Sequence, residues 1–208
     1  MRLLKTYLTE KLSQELPGVT AHIEAAPSRR IHFEKEELLA ARESGVLVLF
    51  YLKGNEPHIV LMQRPKYDGT HSGQVSFPGG KRESSDRDII YTALREANEE
   101  IGVVPDDVEV LGQLTDVYIP VSKFNVSPIV GIIDYHPQFN IDNYEVEELI
   151  ELKLSDLTDI GALEITKITL TNNTVLKTPS FVFDDKVVWG ATALMLNELR
   201  YILAEWAD

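Results

Sequence analysis

Three glutamates, Glu96, Glu99 and Glu100, stand three and four residues apart within the run 77–103, FPGGKRESSDRDIIYTALREANEEIGV. At about 100° per residue those spacings stack side chains on adjacent helical turns, so the three carboxylates are expected on one face. Unpaired, they repel one another and weaken the helix. A divalent cation turns that liability into a site, because hard cations want several carboxylate oxygens converging on one point. An acidic cluster alone is an ordinary solvated face, so the context has to decide. Just upstream, Gly79 and Gly80 let the backbone approach a ligand closely, and helix N-termini attract phosphate. Arg64, His71 and Lys81 are the nearby candidates for holding an anionic group.

These residues need a scaffold. The helix carrying the glutamates is expected to start with Ser85 or Asp86 as cap and to stop at Gly102, with Ile90, Leu94, Ala97 and Ile101 on its apolar face. The continuous apolar run 46–52 has strand length and reads as a strand covered on both faces. A turn at 53–55, a second strand at 59–63 and a loop at 67–74 lead to the glycine pair. Further strands are expected at 108–118 and 126–134 and a hairpin at Asn172-Asn173, with Trp189 in the core. Near the start, Leu4, Tyr7 or Leu8, Leu12 and Leu16 keep helical spacing until Pro17-Gly18. That amphipathic helix lies on the domain or forms a subunit contact, which would make the protein a homodimer. Arg29-Arg30 falls in a loop-like stretch, followed by a short helical piece around 34–42. No linker, repeat or low-complexity tract divides the chain, so one domain is expected over 1–208, with a helical extension over 1–44 and the core over 45–208.

Composition narrows the function. Twenty basic against 33 acidic residues give a net charge of −13, which argues against nucleic acid or an anionic membrane as partner. It leaves room for a small anionic substrate, since bound cations and a few basic groups invert the field inside a pocket. With no cysteine, disulfides, thiolate catalysis and cysteine metal sites are excluded. Charges at Arg2, Lys5, Glu10 and Lys11 interrupt the start, and no apolar run reaches spanning length, so a cytoplasmic location is the expectation.

The segment Arg95-Glu96-Ala97-Asn98-Glu99-Glu100-Ile101-Gly102-Val103 is similar to the core of the Nudix box, Arg-Glu-apolar-X-Glu-Glu-X-Gly-apolar, at all nine positions. Fourteen residues separate Gly80 from Arg95, one more than the general Nudix spacing, and Asp86 is the nearest counterpart of the box's early glutamate. The longer spacing, and the run Val60-Leu61-Met62-Gln63-Arg64 followed by Gly73 and Phe77-Pro78-Gly79-Gly80, resemble the coenzyme A pyrophosphatase branch of that superfamily. Met62, Pro65 and Gly69 stand where that branch has threonine, serine or alanine, and a second arginine. Pro120-Val121-Ser122-Lys123-Phe124-Asn125-Val126-Ser127-Pro128, the entry Asn143-Tyr144-Glu145-Val146, and Val188-Trp189-Gly190-Ala191-Thr192-Ala193 resemble later segments of the same family.

The resemblance implies an α/β fold, a Nudix-type α/β/α sandwich around a mixed β-sheet. It implies Mg²⁺ or Mn²⁺ held by Glu96, Glu99, Glu100 and the carbonyl near Gly80, with Glu99 as a further ligand or water-orienting group. A general base from outside the box is implied at Glu145 or Glu148, the former taken with Glu99 as catalytic. Arg64, His71, Gly79, Gly80 and Lys81 would face the substrate, and Arg95 would hold the helix acids in place. The implied reaction is cleavage of a diphosphate linked to a nucleoside, with coenzyme A the leading substrate, giving 3′,5′-ADP and 4′-phosphopantetheine. ADP-ribose or NADH would be alternatives, and a non-catalytic ligand sensor is the reading from a different class.

Overall fold

The computed structural model describes residues 1–26, 33–67, 69, 71–158, 163–170 and 174–206. The chain opens with two helices, α1 (Arg2–Leu12) and α2 (Gly18–Ala25), and a short third, α3 (Lys35–Leu39). Leu4 and Leu8 of α1 are buried, so this helix lies on the domain. It ends at Leu12, four residues before the expected stop. Pro17-Gly18 starts α2 instead, with Pro17 as its N-cap, in keeping with the liking of helix starts for proline. Arg29-Arg30 lies outside the described residues.

The central strand is β1 (Arg42–Lys53), joined by the expected turn to β2 (Glu56–Gln63). Alternate β1 side chains enter two separate cores. Val46, Val48 and Phe50 point to one, and Leu47, Leu49 and Tyr51 to the other, as a doubly covered strand requires. After β2 come two short strands, β3 (Val75–Ser76) and β4 (Gly79–Lys81), then the helix α4 (Ile89–Ile101). The strand expected over 108–118 is broken into β5 (Glu109–Gln113) and β6 (Val117–Ile119). At the break, the backbone N–H of Thr115 donates to the side chain of Glu198 rather than to a neighbouring strand. β7 (Phe124–Ile132) and β8 (Glu148–Lys153) complete the main sheet, and α5 (Leu154–Thr158) follows.

β1 runs parallel to β7, and every other pairing in the sheet is antiparallel, with the path β3-β2-β1-β7-β5. β1 is shared along its length: Phe50 to Lys53 pair with β2, whereas Ser44 to Val46 pair with β4. That division brings the glycine turn to the middle of the sheet. A second sheet, in the order β11-β10-β9, is formed by β9 (Glu164–Thr169), β10 (Val175–Phe183) and β11 (Lys186–Trp189). β9 and β10 pair antiparallel; the expected hairpin tip at Asn172-Asn173 lies outside the described residues. The final helix, α6 (Ala191–Leu203), packs against α2 on the face of the sheet opposite α4. Among the described residues no helix is long and apolar enough to cross a membrane.

α2 and α6 meet through polar groups. Glu198, fully buried, accepts from the Gly18 N–H at 3.1 Å, from the Thr115 hydroxyl at 2.6 Å and from His22 Nε2 at 3.1 Å. Burial alone would raise its pKa, but the His22 and Thr115 hydrogen bonds outweigh it and hold the carboxyl below its usual value. Asn197 adds a bond from Nδ2 to the Ala21 carbonyl at 2.7 Å.

Candidate active site

The helix α4 starts two residues later than expected. Asp88, not Ser85 or Asp86, caps it by accepting from the Tyr91 N–H at 2.7 Å, and Gly102 closes it in the left-handed conformation. Ala93, Leu94, Ala97 and Ile101 are buried, whereas Ile90, expected on that face, is 36% exposed. The helix is rotated so that Ala93 and Ala97 sit against β1, and that rotation carries Glu100 inward.

The three glutamates therefore do not share one environment. Glu100 is 1% exposed, Glu96 is half-buried and Glu99 is exposed. Glu100 Oε2 accepts from the Gly79 N–H at 2.7 Å, and Arg64 Nη2 lies 3.3 Å from its other oxygen. Burial pushes the Glu100 carboxyl up to about 8, against the opposing pull of Arg64 and the Gly79 N–H; Glu96 and Glu145 push it further up. Burial likewise raises Glu96, opposed by Arg95 and assisted by Glu99 and Glu145.

Arg95 organises the outer side of the helix. Its guanidinium contacts Glu96 at 2.9 Å, Glu99 at 2.7 Å and the buried Asp86 at 2.9 and 3.0 Å. The Arg95 hydrogen bonds hold Asp86 down to about 2, well below the usual carboxylate range. Asp86 also accepts from the Glu83 N–H and the Thr92 hydroxyl, so it anchors the loop between turn and helix rather than capping the helix. Sequence reasoning named Asp86 only as a cap or as the nearest match to the box's first acid. Ser44 was missed altogether: its hydroxyl donates to the Gly80 carbonyl at 2.7 Å, and a lone serine at a strand start carries no signal.

The glycine turn is built around the glutamates. Gly79 has φ +148°, where a side chain is strained, and Gly80 faces the Glu96 carboxylate so closely that a Cβ would collide with it. Arg64 donates to the Gly79 carbonyl at 3.1 Å. Beside the turn opens a cleft of about 1940 Å³, whose described lining includes Arg64, His71, Gly79, Gly80 and Lys81. Among the described residues its charged lining is cationic on balance, with Arg64, Lys66, Lys81 and Lys186 against Asp116 and Asp185, in a chain of net charge −13. His71 adopts φ +70° and lies 3.0 Å from Gln74 Oε1. Trp189, expected in the core, is half-buried and lines the cleft, because β11 is an edge strand of its sheet.

Glu145 and Glu148 part company. The loop before β8 is fastened to the end of α4, with the Asp142 N–H donating to the Glu100 carbonyl at 2.9 Å. Glu145 on that loop is exposed and close enough for its charge to act on both Glu96 and Glu100. Glu148 is tied to Lys186 at 2.6 Å.

Among the described residues, no three carboxylate or imidazole groups converge tightly enough to hold a metal unaided. Glu96 and Glu99 both touch Arg95, Glu99 from the exposed side, and Glu100 faces the turn. The donors nearest the turn, Glu96 beside the Gly80 backbone with Glu100 behind it, suit a hard cation that completes its shell with water and substrate oxygens, as Mg²⁺ does.

Comparison with known proteins bears on family and fold. Residues 41–167 match the NUDIX domain family model. An uncharacterized Nudix hydrolase NudL from Pectobacterium atrosepticum is 38% identical over 152 residues, 72% of this chain and 77% of that protein. Its counterpart from Citrobacter koseri is 36% identical over 163 residues, 78% and 83% of the two chains. Among solved structures, the Nudix hydrolase RenU from M. smegmatis aligns with a TM-score of 0.55 at 15% identity, over 79% of this chain and 87% of that one. A MutT/nudix family protein from Enterococcus faecalis aligns with a TM-score of 0.54 at 15% identity, over 96% and 69%. At such identities these two speak for the fold alone.

Proposed function

We propose a reaction and a substrate for this chain, which belongs to the Nudix hydrolase family: divalent-metal-dependent cleavage of the diphosphate in a nucleoside diphosphate derivative, with coenzyme A as the leading substrate. The observation that carries the reaction is the Gly79-Gly80 turn, moulded onto Glu96 and Glu100 at the edge of a cationic cleft in an anionic protein. The coenzyme A assignment rests on the resemblance of the run 60–80 and on the size of the cleft, which accommodates more than a nucleotide.

Mg²⁺ or Mn²⁺, when bound, would neutralise charge on the diphosphate and acidify an attacking water. Glu96 and Glu100 with the Gly80 backbone would hold the cation, and Glu99 would be a further ligand or orient water. Arg95 keeps Glu96 and Glu99 in place from behind, and Asp86 keeps Arg95 in place in turn. Glu145 would take the water's proton, since its loop brings a carboxylate to the cluster without tying it to a cation. Lys81, exposed at the cleft, and His71 would meet the substrate's anionic groups.

A panel of coenzyme A, dephospho-coenzyme A, ADP-ribose and NADH, run with Mg²⁺ and with Mn²⁺ and read by product chromatography, tests this. Coenzyme A should give 3′,5′-ADP and 4′-phosphopantetheine, with ¹⁸O from labelled water in only one of the two. Preferential cleavage of ADP-ribose or NADH would reassign the substrate and leave the bond class standing. Inorganic phosphate as first product, or no cleavage of any member, would sink the reaction itself.

A further inference from the structure

Arg64 follows directly on β2, and its own N–H is fixed to the Gln74 carbonyl at 2.9 Å. Its guanidinium closes a small ring. Nη2 donates to the Gly79 carbonyl at 3.1 Å and reaches Glu100 Oε1 at 3.3 Å, while the Gly79 N–H donates to Glu100 Oε2 at 2.7 Å. Both polar groups of one turn residue, both oxygens of one carboxylate and one guanidinium thus lock together. The Arg64 side chain is three-quarters buried there, so it does not sample solvent as a free phosphate ligand would. Both contacts leave from Nη2, whose two N–H groups are fixed in the guanidinium plane, whereas a lysine ammonium is a point charge on a flexible stem.

We propose that Arg64 is a positioning residue for the cation site, bracing Glu100 against the Gly79-Gly80 turn, and not a contact to a substrate phosphate. The proposal rests on the reading of this site as a divalent-metal centre. Two roles for Arg64 differ in sign. As a bare positive charge beside a divalent cation it repels that cation, so its removal would tighten metal binding. As a brace it holds a ligand in place, so its removal weakens binding, by about 10- to 100-fold for a supporting residue of this kind.

The test is Mn²⁺ binding to the full-length metal-free protein without substrate, followed by the electron paramagnetic resonance of the free ion. Wild type is compared with Glu100→Gln, Arg64→Ala and Arg64→Lys, each first shown by circular dichroism to be folded. Arg64→Ala should weaken Mn²⁺ about tenfold or more, and Arg64→Lys should recover little of the loss because its ammonium has no planar group to fix the two N–H directions. At saturating metal, KM for coenzyme A should change by less than about threefold in both. Should Arg64→Ala not fold, Arg64→Lys carries the same comparison. Unchanged or tighter Mn²⁺ binding, or a KM that rises while metal affinity holds, overturns the proposal. Wild type that binds no Mn²⁺, or Glu100→Gln that binds it normally, brings down the metal reading and this proposal together. If both controls behave and only the Arg64 variants bind Mn²⁺ like wild type, the bracing role alone falls.

Discussion

The space in which a side chain on Gly80 would begin is filled by the carboxylate of Glu96. Helix and turn are therefore fitted to each other where the Glu96 carboxylate meets the Gly80 backbone. Gly80→Ala should push Glu96 out of position while leaving the fold intact, because β4 is only a short strand against β1. A displacement of about 1 Å at a reacting centre costs on the order of a hundredfold, and turnover at saturating Mg²⁺ should fall by that much. An alanine variant with near-normal turnover would show that the close fit has no bearing on the chemistry.

Removing one charge from the cation's surroundings gives a second outcome. Glu96→Gln and, separately, Glu100→Gln should each lower turnover at least about a hundredfold, the scale of losing a principal electrostatic contact. Glutamine at 100 keeps an oxygen for the Gly79 N–H, and the fold should survive. Steady-state rates at several Mg²⁺ concentrations decide the matter for each residue independently.

The two candidate bases are separable by the same approach. Glu145→Gln should reduce kcat by about 10² to 10⁴, the contribution of a positioned base, with KM little changed. Glu148→Gln breaks only the exposed Lys186 pair and should leave kcat within about threefold. The reverse ranking would move the base to Glu148.

Glu198 predicts how stability follows pH. Its folded-state pKa lies below the unfolded value, so its contribution is present above about pH 4.3 and is lost as pH falls through the folded value. Glu198→Gln should cost about 2 kcal/mol at pH 7, the scale of hydrogen bonds to a charged acceptor, and should flatten the acid side of the melting-temperature profile. Thermal melts of both proteins from neutral pH into the acid range check the sign: an unaltered acid slope in the variant would place the acid sensitivity elsewhere.

Much of this molecule was legible in the sequence where a single local rule decides the outcome. The doubly covered β1 follows from an unbroken apolar run, and the end of α4 from Gly102. The features that differ from expectation depend on what lies across the fold. Pro17-Gly18 suits a helix start as well as a stop, and the group that satisfies the Gly18 N–H, the Glu198 carboxylate, lies far along the chain. The same residue breaks the 108–118 strand at Thr115. Helical spacing put Glu96, Glu99 and Glu100 on one face, and only the docking of Ala93 and Ala97 on β1 divides them into half-buried, exposed and buried groups. The pairing of Arg64 with Glu100 could not be read from the sequence, because the two are 36 residues apart.

The pairing of α2 with α6 also has a consequence in time. Gly45, Arg64, Gly79, Glu96 and Glu100 lie within one sequence-local block, and their mutual contacts can form as soon as α4 has left the ribosome. His22 must wait for Glu198, 176 residues later. At synthesis rates of about 5 to 20 residues per second, that wait is roughly 9 to 35 s. For that interval Ala21 and Ala25 of α2, both buried in the finished protein, have no α6 to cover them. The nascent chain should thus hold a nearly assembled turn and α4 beside an α2 whose apolar face is still uncovered.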